Sequence, residues 1–245
     1  MEATKEQGAM PQALVLCGGF GTRLQTVYRD GPKALVPIAG RPLLSYALEW
    51  LRSEGIGRVV LCVGYKHEQI EELFAEGGSD PEIHYSVEPE PLGTAGAVKQ
   101  AESAIEGDCF FVLNGDSFLD VPLREMLEFH RRKGAVATIA TVEVERAARY
   151  GSVMLDAESR LVSFAEKTEH VRGGPQRING GLYVLDRSVL QMIPGGQKVS
   201  IEKEVFPALI GKGLYGFENR GYFIDVGVPE DLERAQTELP EHFAV

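Results

Sequence analysis

The chain has 245 residues, 44% hydrophobic and 25% charged, with a formal net charge of −11 and an isoelectric point near 5.0. That length supplies core enough for one large α/β domain or two small ones. The acidity argues against a nucleic-acid or anionic-membrane partner, either of which asks for a basic face. No apolar run approaches the roughly 20 residues a bilayer requires. The opening MEATKEQGAM reads as a short polar tail over 1–11 rather than a leader, so a cytoplasmic protein is expected. Cys17, Cys62 and Cys109 fall in apolar runs without metal-ligand spacing and are expected as reduced, buried residues.

Strand-like and helix-like patterns alternate through the first half. Residues 13–17 form a continuous apolar run, as in a strand covered on both faces. The segment 42–53 has helical apolar spacing with Trp50 on its core face, and it stops at Gly55. Then come a strand at 58–63, a helix at 68–74, a strand at 83–87, a helix at 94–103 and a buried strand, CFFVL, at 109–113. An amphipathic helix at 123–133 ends on Gly134 and precedes a strand at 136–142. Beyond it, strands at 152–155, 161–166 and 178–185 have little helix between them. A helix at 201–210 and strands at 214–218 and 222–226 lead to a last helix from Pro229, whose Glu230 and Asp231 suit its positive end. The rhythm predicts a Rossmann-like three-layer α/β sandwich with a mixed, mostly parallel central sheet, spanning 12–245 as one domain.

Ligands of open α/β sheets bind beyond the carboxyl ends of the strands. Here Cys17 runs into GGFGTR, Leu113 into NGD and Ile224 into Asp225. GGFGTR is not a dinucleotide fingerprint, because Leu24 stands where the third glycine belongs, and no GK[ST] follows to make a P-loop. What remains is a glycine turn with free backbone N–H groups, then Arg23 and Lys33. Such a set is either a tight turn or a cradle for polyphosphate. The five histidines sit in none of these stretches and are expected at the surface or an interface.

GGFGTR with Lys33 ten residues on, EPLGTAGA at 90–97 in its frame, NGD at 114–116, RYG at 149–151, EK at 166–167, NGGLY at 179–183 and FIDVGVPED at 223–231 occur in this order. The series resembles the sugar-1-phosphate nucleotidylyltransferases, the nucleotide-diphospho-sugar transferase fold, and most of all its heptose-1-phosphate guanylyltransferase group. The resemblance covers residues 12 to 237.

The resemblance implies an attack by a sugar phosphate oxygen on the α-phosphorus of a nucleoside triphosphate, releasing pyrophosphate. It implies Mg2+ held by Asp116 and Asp225, with Arg23, Lys33 and Lys167 as catalytic cations. Leu16, Gly18, Gly19, Gly21, Thr22 and Arg23 are expected on the nucleotide, with Glu88, Gly93 and Thr94 at its base. A carboxylate at Glu88 matches the adjacent ring N–H and amine of guanine, so GTP is preferred over pyrimidine triphosphates. Asn114, Gly151, Glu166, Lys167, Asn179, Gly180 and Glu202 are expected around the sugar phosphate. Asn179 and Glu202 would bind hydroxyls, while Gly151 and Gly180 leave room for the ring. A uridylyl-, cytidylyl- or thymidylyltransferase for a hexose or N-acetylmuramate 1-phosphate stays open. So does a nucleotide-sugar-sensing regulatory subunit, and apolar residues near 121–127 or the tail could serve a homodimer.

Overall fold

The computed structural model describes residues 9–19, 28, 31–75, 78–145, 150–165 and 175–244. Strand β1 (Ala13–Leu16) is followed by a two-residue ribbon, β2 (Pro37–Ile38) and β3 (Arg41–Pro42), and by helix α1 (Leu43–Ser53). Next come β4 (Arg58–Val63), α2 (His67–Leu73), β5 (Glu82–Val87), α3 (Gly93–Gln100) and β6 (Cys109–Asn114). A short β7 (Ser117–Leu119), α4 (Leu123–Lys133) and β8 (Ala137–Val144) complete the first half. The second half carries β9 (Ser152–Leu155), β10 (Leu161–Ala165), β11 (Gln176–Asp186), α5 (Phe206–Leu209), β12 (Leu214–Asn219), β13 (Phe223–Asp225) and α6 (Pro229–Phe243).

Among the described residues these strands build a nine-stranded mixed sheet. The strands β5, β4, β1 and β6 lie parallel in that order. Beyond β6 the direction reverses: β11 runs antiparallel to β6 and to β8, and β12 then pairs parallel with β8. The β9–β10 hairpin continues from the first half of β11. Strand β1 is paired along both edges and covered by a core cluster on each face, Ala13 and Val15 in one and Leu14 in the other, so all three are fully buried. Phe110 and Phe111, adjacent on β6, project to opposite faces and enter two different core clusters. One cluster lies under α1 and α6 with Tyr46, Trp50 and Phe118; the other lies under α3 and α5 with Tyr183 and Phe206.

Several expectations change. Val121, Leu123, Met126 and Leu127 are buried, because the inner face of α4 packs on the sheet, so that stretch offers no apolar dimer surface. His130 is buried rather than on the surface: α4 turns it inward, where its Nδ1 lies 2.9 Å from the Thr138 hydroxyl. The helix expected at 201–210 opens as a π-helical turn, Ile201–Val205, before α5. Cys17 and Cys62 are buried free thiols and Cys109 is half-buried. No described helix is long and apolar enough to cross a membrane.

Candidate active site

Register decides which strand ends meet. Leu16 lies opposite Cys62 on one side and Asn114 on the other, and Val63 lies opposite Val87. The carboxyl ends of β1, β4, β5 and β6 therefore finish in line. Backbone bonds extend the alignment, with Cys17 N–H donating to Cys62 O at 2.8 Å, Glu88 N–H to Val63 O at 2.8 Å and Gly115 N–H to Leu16 O at 3.0 Å. A Cβ on Gly115 would sit 2.7 Å from the Leu16 carbonyl oxygen, so a glycine there is what lets the two loops approach.

Beyond this edge lies a cavity of about 260 Å³, lined in part by Leu16, Gly18, Gly19, Glu88, Asn114 and Asp116. A Cβ on Gly19 would meet nothing within 4 Å, whereas one on Gly18 would stand 2.4 Å from Glu88 Oε1. The Gly18 backbone thus lies directly under the Glu88 carboxylate. Leu92 N–H donates to Glu88 Oε2 at 3.0 Å. Burial pushes the Glu88 carboxyl above its ordinary value, and the Leu92 N–H bond offsets only part of that rise.

The two aspartates are joined by a second, smaller piece of sheet. Strands β7 and β13 pair antiparallel, with Asp225 opposite Ser117, and Val226 N–H donates to the Asp116 carbonyl at 3.1 Å. Residues 109 places apart in the chain are thereby brought side by side. Lys33, on a 3-10 turn (Lys33–Leu35), projects its ammonium between them, 2.7 Å from Asp116 Oδ2 and 3.8 Å from Asp225 Oδ1. The Lys33 side chain is 10% exposed, against 42% for Asp116. Of these three groups Asp116 stands on the cavity wall, and with Asp225 beside it a divalent cation could join the two carboxylates to a polyphosphate. Cys17 lies beneath; burial, then the Asp116 charge, push its thiol up to about 12, so it stays protonated and inert.

On the far side of β6, β11 carries a register shift between Asn179 and Tyr183. Within it Gly181 has φ +76°, a left-handed conformation, and a Cβ there would lie 2.8 Å from Asn114 Nδ2. Irregularities of this kind re-aim side chains at sites. Asn179 Nδ2 donates to the Tyr183 hydroxyl at 2.9 Å, and Asn179 N–H donates to Gly151 O at 2.9 Å. Burial first, and then the Glu202 charge, hold Tyr183 protonated, well above the ordinary phenol. Asn114, Gly151, Asn179 and Glu202 are therefore gathered around Tyr183, whose hub position the sequence reading missed. The NGGLY motif held the signal, but the bulge alters the simple alternation that would have related 179 to 183.

Gly93 and Thr94 stand on the cavity wall, and packing adds a structural reason for them and for Gly180. A Cβ on Gly180 would meet Leu119 Cδ2 at 2.5 Å and Ala140 O at 2.9 Å. Its bareness serves close packing rather than space for a sugar ring. Gly93 has φ +72° and a Cβ there would lie 2.6 Å from Val199 O, because the 197–199 segment rests on the first turn of α3. Ala95 N–H and Gly96 N–H donate to that same carbonyl at 3.0 and 3.3 Å, which occupies donors a phosphate would otherwise use. Thr94 Oγ1 donates to Glu202 Oε2 and accepts from Ile201 N–H, each at 2.8 Å, so its hydroxyl is spent on internal contacts. Lys198, also on the cavity wall, was not foreseen. Gly21, Thr22, Arg23, Glu166 and Lys167 lie outside the described residues.

A glycine-lined cavity at the carboxyl edge of a Rossmann-like sheet, with Asp116 on its wall and Asp225 and Lys33 gathered on that aspartate, defines a nucleotide-binding enzyme of the phosphoryl-transfer class. The chain belongs to the nucleotidyl transferase family, whose model matches residues 12–242. It is 38% identical over 233 residues to the D-glycero-alpha-D-manno-heptose 1-phosphate guanylyltransferase of Aneurinibacillus thermoaerophilus, covering 95% of this chain and 99% of that protein. It is also 38% identical over 231 residues to the mannose-1-phosphate guanylyltransferase of Mycobacterium tuberculosis, but covers only 64% of it. Among solved structures it is similar to HddC from Yersinia pseudotuberculosis complexed with GMP-PN. That match has a TM-score of 0.81 and 33% identity, and it covers 96% of this chain and all of the other.

Proposed function

We propose that this protein is a cytoplasmic, Mg2+-dependent guanylyltransferase. It joins the GMP unit of GTP to a heptose 1-phosphate, giving a GDP-heptose for surface polysaccharide and releasing pyrophosphate. The observation that carries the reading is the convergence of Asp116 and Asp225 on the Lys33 ammonium, with Asp116 on the wall of a glycine-lined cavity. The heptose is favoured over mannose because the heptose-type relative matches over 99% of its length and the mannose-type one over 64%.

In this reaction a phosphate oxygen of the sugar phosphate bonds to the α-phosphorus of GTP. The bond from that phosphorus to the α,β-bridging oxygen breaks, and its electron pair leaves with pyrophosphate. The attacking phosphate has a second pKa near ~6 and is already a dianion at neutral pH, so no general base is needed. What remains for the protein is to hold two polyanions in line and to balance their charge. The Asp116 and Asp225 carboxylates are hard oxygen donors, and two of them leave most of an octahedral shell for phosphate oxygens and water, which fits Mg2+. When bound, the ion supplies Lewis-acid neutralisation of phosphate charge. Lys33, with Arg23 and Lys167, completes the cationic set. Glu88, half-buried against bare Gly18 backbone, faces the base. Asn114, Asn179 and Glu202 orient the sugar phosphate from the Tyr183 side.

A matrix of four nucleoside triphosphates against heptose, mannose, glucose and N-acetylhexosamine 1-phosphates, read as pyrophosphate release with Mg2+, tests this reading. GTP with the heptose phosphate is expected to be fastest. Release with none of the pairs, despite nucleotide binding, would favour a sensor over an enzyme.

A further inference from the structure

We propose that Lys198 reads the guanine base, donating to the 6-oxo oxygen and ring nitrogen 7 from across the cavity that Glu88 enters. The inference rests on the guanylyl reading and deepens it. Three observations carry it. First, Lys198 and Glu88 line the same cavity, and among the described residues Lys198 makes no ion pair, whereas Lys33 is engaged by Asp116 at 2.7 Å. A cation without a counter-ion on a ligand cavity is available to a ligand acceptor.

Second, both groups are anchored to one residue. Leu92 N–H holds the Glu88 carboxylate at 3.0 Å, and Leu92 O accepts from Val199 N–H at 2.8 Å. The backbone on either side of Lys198 is fixed on α3. The Val199 carbonyl takes two N–H bonds, and a Cβ on Gly96 would lie 2.7 Å from Gln197 O. The backbone carrying Lys198 is thus tied to the same residue that holds the Glu88 carboxylate.

Third, the chemistry is complementary. Guanine presents two donors, its ring N–H and exocyclic amine, beside two acceptors, the 6-oxo oxygen and ring nitrogen 7. A carboxylate suits the first pair and an ammonium the second. Adenine reverses this, placing an amine donor where the ammonium points and a bare ring nitrogen before the carboxylate. The pair therefore selects for guanine and against adenine at once.

The test is the ratio of kcat/KM for GTP to that for ATP in wild type, Lys198→Met and Lys198→Arg, with 7-deazaguanosine triphosphate, which lacks only ring nitrogen 7, as a second probe. Lys198 is exposed, so both variants are expected to fold, and matching thermal transitions check this. In Lys198→Met the GTP-to-ATP ratio should fall about tenfold and the penalty for losing ring nitrogen 7 should shrink, with KM for the sugar phosphate unchanged. Lys198→Arg should retain most of the discrimination. An unchanged ratio overturns the proposal, as does a rise in KM for the sugar phosphate alone, which would place Lys198 on phosphate. A wild type that discriminates between no bases defeats the guanylyl reading itself before any variant is compared.

Discussion

Replacing Lys33 by Met separates the two jobs its ammonium does. In the ligand-free protein that ammonium neutralises Asp116 at 2.7 Å and approaches Asp225 at 3.8 Å. The lysine side chain is 10% exposed and that of Asp116 42%. The pair falls between a surface bridge, at about 0.2–1 kcal/mol, and the roughly 3–5 kcal/mol lost when one partner of a buried pair is removed. Loss of the lysine should therefore cost about 1–2 kcal/mol of stability in chelator, since it leaves two carboxylates facing one another. Those acids are also the expected Mg2+ ligands, so the ion should repair part of the defect. A ligand at a hundredfold over its Kd stabilises the native state by about 2.7 kcal/mol. Urea unfolding in EDTA and in Mg2+, for wild type and Lys33→Met, gives the four required midpoints. The variant should be the less stable in EDTA and gain more from Mg2+ than wild type, while turnover falls about a hundredfold or more. Equal stability in EDTA together with an equal Mg2+ response would refute the reasoning.

Two further predictions concern the frame around the site. Gly93→Ala forces a left-handed φ on a residue with a Cβ, at about 1 kcal/mol. It also drives that Cβ to 2.6 Å from Val199 O, a backbone atom held by two N–H bonds worth about 1 kcal/mol each. Chemical denaturation should show a loss of about 2–4 kcal/mol, and a loss under about 0.5 kcal/mol would mean that the 197–199 segment is not held against α3. His130 gives a pH signature. Burial lowers its imidazole from 6.5 to about 4, so between those values the unfolded chain binds a proton that the native one does not. Stability should fall as pH drops from 6.5 toward 4, by up to about 3 kcal/mol, and be indifferent to this group above 6.5. His130→Gln should flatten that limb of the stability profile, and an unaltered profile would assign it to other groups.

The parallel half of the fold was legible because β1, β4 and β6 are buried on both faces and so read as unbroken apolar runs. Helix α4 was legible down to its ends, since Gly134 accepts the left-handed conformation that closes it. What escaped the sequence was small or long-range. Strand β7, three residues inside a turn-like NGDSF stretch, was missed, and although β13 was expected within 222–226, its pairing with β7, which sets Asp225 beside Ser117, was not. Asp116, Asp225 and Lys33 could be chosen from motif order, but that the lysine bridges both acids could not. Gly93, Gly96 and Gly180 were visible as bare positions without the reason for it, because the atoms they avoid, Val199 O, Gln197 O and Ala140 O, lie far away in the chain. Lys198 was invisible for the same cause: nothing local marks a lysine as facing a cavity. The apolar residues at 121–127 misled because α4 turns them inward.

The central claim is that the β7–β13 ribbon makes one divalent-cation site from Asp116 and Asp225. It is tested most directly by titrating Mn2+, a paramagnetic stand-in for Mg2+, into wild type, Asp116→Asn and Asp225→Asn with GTP present, and counting bound ions by electron paramagnetic resonance. One bound ion per chain in wild type, weakened at least tenfold in each variant with the fold retained, is the predicted result. Undiminished binding of one ion in both variants would contradict the account.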